Sequence, residues 1–534
     1  MTEYPDSQYA IQIVGQEQFI VNDSKPIDPV GPHQMMLRVE ACGICFSDTK
    51  LLHQFDTHPR KSEVVAGIDL DALAEIPSYH PGAQPTTPGH EPVARIVEVG
   101  EKVTHFAVGD RVLVQADWKH LRTAKSNGAF GYNFDGALQE YVVVDERCVV
   151  SPTGEEFLIH VSDGPSAAAV GLIEPWATVE GSYAWAERNH LADGGRLLVV
   201  GEGCVDSLTA SHAPAETVAV ACDEVDSLAG QEFDDVVVFC ADPAVIEKAA
   251  LLLGTRAVMC VVLDGQTIPR KVSLDIGRVH YDFIRFCGTT GSDPADGYAW
   301  IPADGDLREN DRCAFIGAAG PMGVMHTMRA VTSGVPGLSV VGTDLSDERL
   351  ESLTRVVGPV AEKNGVPLDI VNTSTSPLEY GYTHVTCLVP VPALVSQAVD
   401  ICADGAILNA FAGIPAGTFG DFDLQGIIER RIFMLGTSGS DVSDMRTVLR
   451  KIEDGVIDTT ISLWAVTGMA GFGDAITSVI ERTSGGKIMV FPMLHDLGLT
   501  PVGELEQEYP QVAALLNDGL WTKEAEEALL ASAR

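Results

Sequence analysis

Three short stretches of this chain carry side chains that could bind a metal ion and a dinucleotide. Residues 42–48 read Cys-Gly-Ile-Cys-Phe-Ser-Asp, residues 89–91 read Gly-His-Glu, and residues 317–323 read Gly-Ala-Ala-Gly-Pro-Met-Gly. Thiolate, imidazole and carboxylate are zinc ligands, and a glycine-rich turn ahead of a helix receives a pyrophosphate. Together they predict chemistry in which a metal-polarised alcohol gives its hydride to a nicotinamide. Either half alone is common by chance.

The first two stretches supply the elements of a catalytic metal site. A zinc ion that performs chemistry takes about three protein ligands and leaves one position for water or substrate. Cys45, His90 and either Glu91 or Glu174 can provide these ligands. We expect Cys42 to pack in the core instead.

The third stretch has the spacing of a dinucleotide-binding turn. Its glycines permit a tight turn and close backbone approach, and the helix expected at 324–332 receives the phosphates. A strand expected at 338–342 leads to an aspartate about 20 residues beyond the last glycine, which would bind the ribose hydroxyls and repel a 2′-phosphate. We therefore expect NAD rather than NADP. The residues in this prediction are Gly317, Gly320, Pro321, Met322, Gly323 and Asp344.

Composition restricts the partners and the compartment. The formal net charge of −40 disfavours nucleic acid and anionic membranes, which select basic surfaces. Segment 1–10 is polar, so we expect no secretory signal. Arg256 interrupts the best apolar run before the roughly 18–20 residues that a membrane span needs. The 11 cysteines read as mostly reduced core thiols, and we expect a cytoplasmic protein with a small-molecule substrate.

The predicted secondary structure changes after about 190 residues. The first part contains short strand-like runs separated by turns, which is typical of a β-barrel or sandwich. From residue 195 onward, strands alternate with helical stretches, the pattern of a parallel, doubly wound sheet. The clearest early runs are 36–39, 94–99, 111–114 and 139–144.

The α/β region contains a diverged internal repeat. Residues 286–293 read Phe-Cys-Gly-Thr-Thr-Gly-Ser-Asp, and residues 434–441 read Met-Leu-Gly-Thr-Ser-Gly-Ser-Asp. The first copy is shorter by roughly 30 residues after its first strand. It has only Gly201 and Gly203, with Glu202 between them and no third glycine before a long helix. We therefore assign the dinucleotide to the second copy.

These motifs resemble the zinc-dependent medium-chain dehydrogenase superfamily. The resemblance extends to Val-Gly-Asp at 108–110 and to Gly-Ala-Leu-Gln-Glu-Tyr at 136–141. Glu174 followed by proline is similar to the polyol and threonine dehydrogenase branch, where a glutamate replaces a cysteine ligand. The strings at 117–122, 131–134 and 486–492 are more narrowly similar to L-sorbose-1-phosphate reductases.

The resemblance implies α/β plus β architecture: a GroES-like, β-rich catalytic domain with tandem Rossmann-like sheets, the first degenerate. It implies one catalytic zinc, with Ser47 relaying the alcohol proton and Asp48 supporting the ligands. The implied site residues are Cys45, Ser47, Asp48, His90, Glu91 and Glu174. The expected domains are 1–190, 193–306 and 308–455, with 456–534 completing the catalytic domain.

Two departures from the family concern the substrate. The cysteine-rich structural zinc lobe is absent, and the gap between Cys45 and His90 is about twice the usual one. Residues 51–87 must therefore form an extra loop, which we call the inserted loop, near the site entrance.

The expected reaction acts on a secondary alcohol or ketone of a sugar or polyol phosphate. Its phosphate needs cations, and the clearest basic clusters are Arg60 with Lys61 and residues 119–122. We expect Lys119 and Arg122 to hold the phosphate. The alternatives are a dehydrogenase of unphosphorylated polyols or amino-acid alcohols, and a non-catalytic nucleotide-sensing scaffold. We also expect a homo-oligomer, either a dimer or a tetramer.

Overall fold

A computed structural model describes residues 4–532, which form two compact units. The first unit combines the described residues up to Ala177 with those from Ser440 onward, and the second is Thr178–Gly439. The first three residues of the polar segment 1–10 and the last two of the segment 456–534 lie outside the described residues. Among the residues described, no helix is long and apolar enough to cross a membrane.

The first unit is built on an eight-stranded sheet. All four strand-like runs predicted from the sequence fall in or overlap its strands. Across the sheet the order is Leu158–His160, Arg111–Val114, Glu91–Val99, Gln34–Ile44, Lys487–Val490, Leu463–Thr467 and Thr500–Pro501, and Tyr141–Asp145 also pairs with Gln34–Ile44. Because Lys487–Val490 pairs with Gln34–Ile44, the C-terminal part of the chain extends the sheet begun by the N-terminal part.

Smaller elements surround this sheet. Two further sheets pair Ser7–Gly15 with Gln18–Pro26, and Asp117–Thr123 with both Val64–Ala66 and Asn127–Ala129. The α-helices of this unit are Phe46–Gln54, Leu70–Ala74, Glu146–Val149, Ala167–Gly171, the start of Ile173–Ala184, Val442–Glu453, Phe472–Ile480, Leu505–Glu508, Pro510–Ala513 and Lys523–Ser532. Short 3-10 turns lie at Phe55–Thr57, Pro59–Lys61, Thr459–Ser462 and Val502–Glu504.

The boundaries between the units differ from those expected at 190 and 455. The first falls within the helix Ile173–Ala184, and the second precedes the helix Val442–Glu453. That helix is fastened to the first unit, since Gln115 Nε2 donates to the carbonyl of Ser440 at 2.9 Å. These tertiary bonds have no local sequence pattern.

The second unit contains two parallel sheets, as the repeat predicts. The first copy has five strands in the order Glu216–Val220, Arg196–Val200, Phe233–Val238, Leu253–Val262 and Arg285–Thr289. The second has six in the order Leu368–Asn372, Ser339–Asp344, Arg312–Ile316, Tyr382–Cys387, Cys402–Asn409 and Phe433–Leu435. The six-stranded order is that of a Rossmann sheet, and the first copy lacks the strand beyond its second, so the expected tandem, partly degenerate fold is confirmed.

The helices show where the first copy is shortened. Its helices are Asp206–Thr209, Pro243–Ala250, Ile276–Tyr281 and Pro294–Ala299, with a 3-10 helix at Cys222–Leu228. The second copy has Pro321–Thr332, Asp347–Asn364, Pro392–Ile401 and Leu424–Arg430. The two long helices that follow the first two strands of the second copy are therefore replaced in the first by short ones.

The two copies share one hydrophobic core. A single cluster of buried side chains contains Val236 and Phe286 from the first copy and Val385 and Met434 from the second. Outside the parallel sheets, Val272–Asp275 pairs antiparallel with Phe419–Phe422, so one strand from each copy joins in a two-stranded ladder.

Candidate functional site

Two neighbouring strands bring the predicted metal ligands together. Cys45 caps the helix Phe46–Gln54 directly after one strand, and His90 directly precedes the next, where Gly43 and Glu91 are cross-strand partners. One donor atom each from Cys45, His90 and Glu91 lies within 4.8 Å of the others. The structure thus assembles a sulfur, a nitrogen and an oxygen donor from separate stretches of the chain.

Asp48 orients two of these ligands. Its Oδ2 accepts from the backbone N–H of Cys45 at 2.9 Å, and its Oδ1 accepts from the N–H of Gly89 at 3.3 Å. The same Oδ1 lies 3.4 Å from Nδ1 of His90. A carboxylate at Nδ1 directs Nε2 of the imidazole toward a metal, which is the supporting role implied for Asp48.

Ser47 lies between the thiol and the imidazole. Its Oγ donates to Cys45 Sγ at 3.1 Å and is 3.2 Å from His90 Nε2. The hydroxyl is therefore close to the two atoms that would bind the metal, where it could exchange a proton with a bound alcohol.

Glu91 is held by a buried lysine. Lys487 Nζ donates to Glu91 Oε1 at 2.6 Å, and both side chains are almost wholly buried. Although burial opposes it, Glu91 raises the pKa of Lys487 above its ordinary value, so the lysine is charged. The other oxygen, Oε2, is buried with no hydrogen-bond partner among residues 4–532. A Cβ at Gly43 would lie 2.2 Å from that oxygen, so only glycine permits this approach.

Glu174 lies in the first turn of the helix Ile173–Ala184, outside the three-residue donor group. Burial, and next the charge of Glu91, raise the pKa of Glu174 to about 7. Two buried carboxylates that repel each other in this way are stabilised by a cation between or beside them. Whether Glu174 binds directly or through water stays a prediction.

The residues present fit zinc. Cys, His and Glu donors are of the types that zinc selects, and Glu91 Oε2 is a buried carboxylate oxygen without a protein partner. Cys42 lies outside the donor group and is fully buried on the strand Gln34–Ile44, and burial raises the pKa of its thiol. It packs as expected for a core residue.

Tyr132 lies beside the donor group on the side of the inserted loop. Its ring is 5.5 Å from the His90 ring and 5.1 Å from the His58 ring, and the Arg60 guanidinium lies over it at 5.0 Å. The Tyr132 hydroxyl is buried and has no hydrogen-bond partner within the described chain. An unpaired buried hydroxyl costs about 1–3 kcal/mol.

The two residues expected to hold a phosphate lie on the strand Asp117–Thr123. Both Lys119 and Arg122 are exposed. Lys119 forms an ion pair with Asp441. Their role stays a prediction.

The glycine turn has the form that the sequence predicts. Gly317 has a φ of 85°, and a Cβ at Gly323 would lie 2.4 Å from the Ala318 carbonyl oxygen. At Gly320 the nearest atom to a Cβ would be Nη2 of Arg349 at 3.3 Å, so the end of a flexible side chain, and not a fixed ring or backbone, lies over this part of the turn. The helix begins at Pro321, three residues before the expected 324, because proline suits the first helical position. Met322 follows it in the first turn.

Asp344 is the last residue of the strand Ser339–Asp344, which runs two residues beyond the expected end. Its Oδ1 accepts from the backbone N–H of Leu345 at 2.8 Å. Its Oδ2 lies 3.4 Å from Nη2 of Arg349. The carboxylate thus stands at the strand end where a ribose would be recognised, with one cation beside it.

Parts of this chain are similar to known proteins. A family model for the alcohol dehydrogenase GroES-like domain matches residues 31–153. Mannitol-1-phosphate 5-dehydrogenase of Aliivibrio fischeri is 27% identical over 244 residues, which cover 42% of this chain and 57% of that protein. L-sorbose 1-phosphate reductase of Klebsiella pneumoniae is 26% identical over 235 residues, covering 42% and 56%. The chain thus spans a little over half the length of these curated relatives.

Solved structures show the same fold. 2R,3R-butanediol dehydrogenase from Bacillus subtilis has a TM-score of 0.53 at 15% identity, covering 91% of this chain and 100% of that one. An Escherichia coli alcohol dehydrogenase complexed with NADH (15% identical, 91% and 100% covered) and a Sinorhizobium meliloti zinc-binding dehydrogenase bound to NADP (14%, 91% and 99%) both give 0.51. Together these matches confirm the resemblance to the zinc-type medium-chain alcohol dehydrogenase superfamily.

Sequence reasoning assigned no role to three residues around the site. Lys487 and Tyr132 lie in strings that resemble a family branch, and Arg60 was noted only as part of a basic cluster. A lysine placed in a β-strand flanked by apolar residues, as Lys487 is, signals a buried carboxylate partner. Nothing local could have identified the contact between Arg60 and Tyr132.

Proposed function

We propose that this protein is a zinc-dependent oxidoreductase that transfers hydride between a nicotinamide dinucleotide and a secondary alcohol or ketone of a sugar or polyol phosphate. The observation that carries the proposal is the donor group Cys45, His90 and Glu91, oriented by Asp48. The names of the mannitol-1-phosphate and sorbose-1-phosphate relatives support the substrate class.

The chain's own residues have distinct tasks in this proposal. When bound, zinc would supply a Lewis acid that favours the alkoxide over the alcohol. Asp48 fixes the imidazole of His90, and Ser47 Oγ accepts the proton that the alcohol loses and passes it outward. Lys487 offsets one negative charge of the carboxylates, which would otherwise make the site less electrophilic.

The second α/β copy would hold the dinucleotide. The turn at 317–323 receives the pyrophosphate on the N-terminus of the helix Pro321–Thr332. Asp344 would bind the adenosine ribose hydroxyls, which favours NAD over NADP. Arg349 neutralises part of the Asp344 charge, so we expect a preference and not an absolute selection.

Zinc content and hydride transfer can be tested in one set of proteins. We expect the wild type to hold about one zinc per chain and to reduce NAD with a sugar alcohol phosphate, and a chelator should abolish the reaction. Cys45→Ala should reduce both zinc and turnover at least about tenfold. The matched control Cys42→Ala should keep both, because that thiol packs in the core.

Two outcomes would contradict the proposal. Full zinc content in Cys45→Ala would remove this donor group from consideration. A zinc-loaded wild type that reduces NAD with no member of a panel of polyols, amino-acid alcohols and their phosphates would exclude hydride transfer to these substrates.

The proposal also includes a homo-oligomer and a cytoplasmic location. Light scattering after size-exclusion chromatography would measure the oligomeric state. The sequence-based prediction that Lys119 and Arg122 hold the phosphate competes with the assignment made in the next subsection, whose experiment tests both residues.

A further inference from the structure

The inserted loop places an arginine beside the donor group. Arg60 lies in the 3-10 turn Pro59–Lys61, and its Nη2 donates to Asp117 Oδ2 at 2.7 Å. The guanidinium also covers the ring of Tyr132, which lies 5.5 Å from the ring of His90, a member of the donor group. One aromatic ring therefore separates Arg60 from the metal-ligand histidine.

A neighbouring lysine fixes the loop. Lys61 is fully buried, and its Nζ donates to the backbone carbonyls of His80 and Gln84, the latter at 2.9 Å. Burial lowers the pKa of Lys61 to about 8. Because Lys61 crosslinks the two sides of the loop, Arg60 is held in place, while Lys61 itself faces protein carbonyls.

Arg60 retains most of its hydrogen-bonding capacity. A guanidinium has five N–H donors in one plane; within residues 4–532 one of them binds Asp117, and the group also lies beside the Tyr132 hydroxyl. Its side chain is 29% exposed. The remaining donors match the paired oxygens of a phosphate or carboxylate group, a fit that an ammonium group does not share.

The hydroxyl of Tyr132 gives a second, independent sign of a ligand. The side chain is wholly buried, and although Ser47 and Arg60 lie beside its hydroxyl, neither forms a hydrogen bond of ordinary geometry with it. Native proteins pair the large majority of such groups. A substrate oxygen would satisfy this hydroxyl beside the ligand histidine.

Charge distinguishes Arg60 from the other basic residues. The protein has a formal net charge of −40, so an anionic substrate needs a local cation. Lys119 is exposed and paired with Asp441, and Arg122 is exposed on the same strand. Arg60, in contrast, contacts Tyr132, whose ring lies 5.5 Å from that of His90.

We propose that Arg60 and Tyr132 form the substrate subsite, in which Arg60 binds the anionic group of the substrate and the Tyr132 hydroxyl binds an oxygen near the reacting carbon. This inference rests on the proposed function and names residues for its substrate class. Asp117 orients the guanidinium, so recognition depends on the planar set of N–H donors more than on net charge.

Kinetics on three related substrates test the subsite: a sugar alcohol phosphate, the same sugar alcohol, and the corresponding sugar acid. In Arg60→Ala, we expect KM for the phosphate to rise about 10- to 100-fold, with KM for the uncharged alcohol within about twofold. A parallel rise for the sugar acid would show a general oxyanion site, and its absence a phosphate site. Arg60→Lys should not restore the wild-type KM.

Tyr132→Phe and two control variants complete the set. Tyr132→Phe should lower kcat/KM about tenfold on the phosphate and the uncharged alcohol alike, because both present the same oxygen. Lys119→Ala and Arg122→Ala should stay within about twofold on all substrates. Zinc content and Tm should be unchanged in Arg60→Lys, which retains the contact with Asp117.

Binding measurements separate this inference from the proposed function. Calorimetric titration with the sugar alcohol phosphate, without dinucleotide, should show binding to the wild type and a loss of about tenfold or more in Arg60→Lys. If the wild type binds but never turns over, the proposed function fails and the subsite stands. Equal binding by both proteins, equal losses on charged and uncharged substrates, or a phosphate-selective loss in Lys119→Ala or Arg122→Ala would each overturn the subsite.

Discussion

In the second α/β copy, the strand Arg312–Ile316 runs through a glycine turn into a helix of 12 residues. In the first copy, the strand Arg196–Val200 also ends in a glycine turn, but the helix that follows, Asp206–Thr209, has four residues. The two sheets otherwise share parallel strands and one hydrophobic core. A Rossmann-like sheet can therefore persist without the helix that would bind a dinucleotide.

The glycine turn of the first copy is also more obstructed than that of the second. A Cβ at Gly203 would lie 2.1 Å from a ring atom of Phe239, so a phenyl ring covers the backbone there. At Gly320 the nearest atom to a Cβ would be 3.3 Å away. Glu202 adds a negative charge to the first turn. Packing preserves the sheet in both copies, and under the proposed function the longer helix and less obstructed turn of the second copy would bind the dinucleotide.

The largest expected effect is a loss of stability when an ion pair in the second copy is removed. Arg329 on the second copy's helix pairs with Glu180 at 3.1 Å and with Asp306 at 3.0 Å. Arg329→Met should lower the free energy of unfolding by about 3–5 kcal/mol in urea denaturation, because it leaves the buried Glu180 without this cation.

The first copy offers a matched control. Arg188 pairs with Asp235 at 2.7 Å, but Asp235 also accepts from the Tyr298 hydroxyl and the Ala192 N–H, both at 2.8 Å. Arg188→Met should therefore cost about 1–2 kcal/mol. An equal loss in the free energy of unfolding in the two variants would show that the ion pairs of Arg329 stabilise the second copy no more than the ion pair of Arg188 stabilises the first.

The next largest effect concerns dinucleotide stoichiometry. NADH titration by fluorescence should give one site per chain, and Gly323→Ala should weaken it about 100-fold, because the added Cβ meets the Ala318 carbonyl. Phe239→Ala uncovers the first turn but should add no second site, since the short helix remains. If Phe239→Ala binds two NADH molecules per chain, the phenyl ring alone would explain why the first copy does not bind a dinucleotide.

A smaller effect is expected on the preference for NAD over NADP. Asp344→Ala should reduce the ratio of kcat/KM for NAD over NADP about tenfold or more, because under the proposed function it would remove the charged acceptor of the ribose hydroxyls and leave Arg349. Asp347→Ala, an exposed carboxylate three residues further on, serves as the control. An unchanged ratio in Asp344→Ala would remove this carboxylate from cofactor selection.

The last prediction concerns the pH dependence of stability. His384 in the second copy is fully buried, with Nε2 3.1 Å from the Gly305 carbonyl oxygen, and burial lowers its pKa. Below about pH 6.5 the unfolded chain binds the proton and the folded chain does not, so stability falls as pH falls, by about 1.4 kcal/mol per unit.

Denaturation at several pH values checks this sign. His384→Gln should flatten the slope below pH 6.5. An identical slope in His384→Gln would assign the pH dependence to other groups.

The parts of the molecule that the sequence predicts are those with local patterns. Alternating runs located the strands, the repeat located both sheets, and the spacing of Cys45 and His90 around adjacent strands indicated the donor group. The helix begins at Pro321, three residues before the predicted start at 324, because proline suits the first helical position.

The remainder depends on contacts between distant residues. Lys487 meets Glu91 across 396 positions, and its partner is set by strand order, not by neighbouring residues. The position of Arg60 depends on Lys61 binding carbonyls about 20 residues away, inside a loop with little regular structure. Such pairs become visible only when the fold brings them together.

The ladder between Val272–Asp275 and Phe419–Phe422 has a consequence for assembly. It joins two sheets that belong to one polypeptide, so each finds the other at an effective concentration set by the intervening chain. Dilution, which dissociates partners held together across separate subunits, leaves this pairing unaffected. The shortened copy is therefore a permanently tethered neighbour for its full-length counterpart.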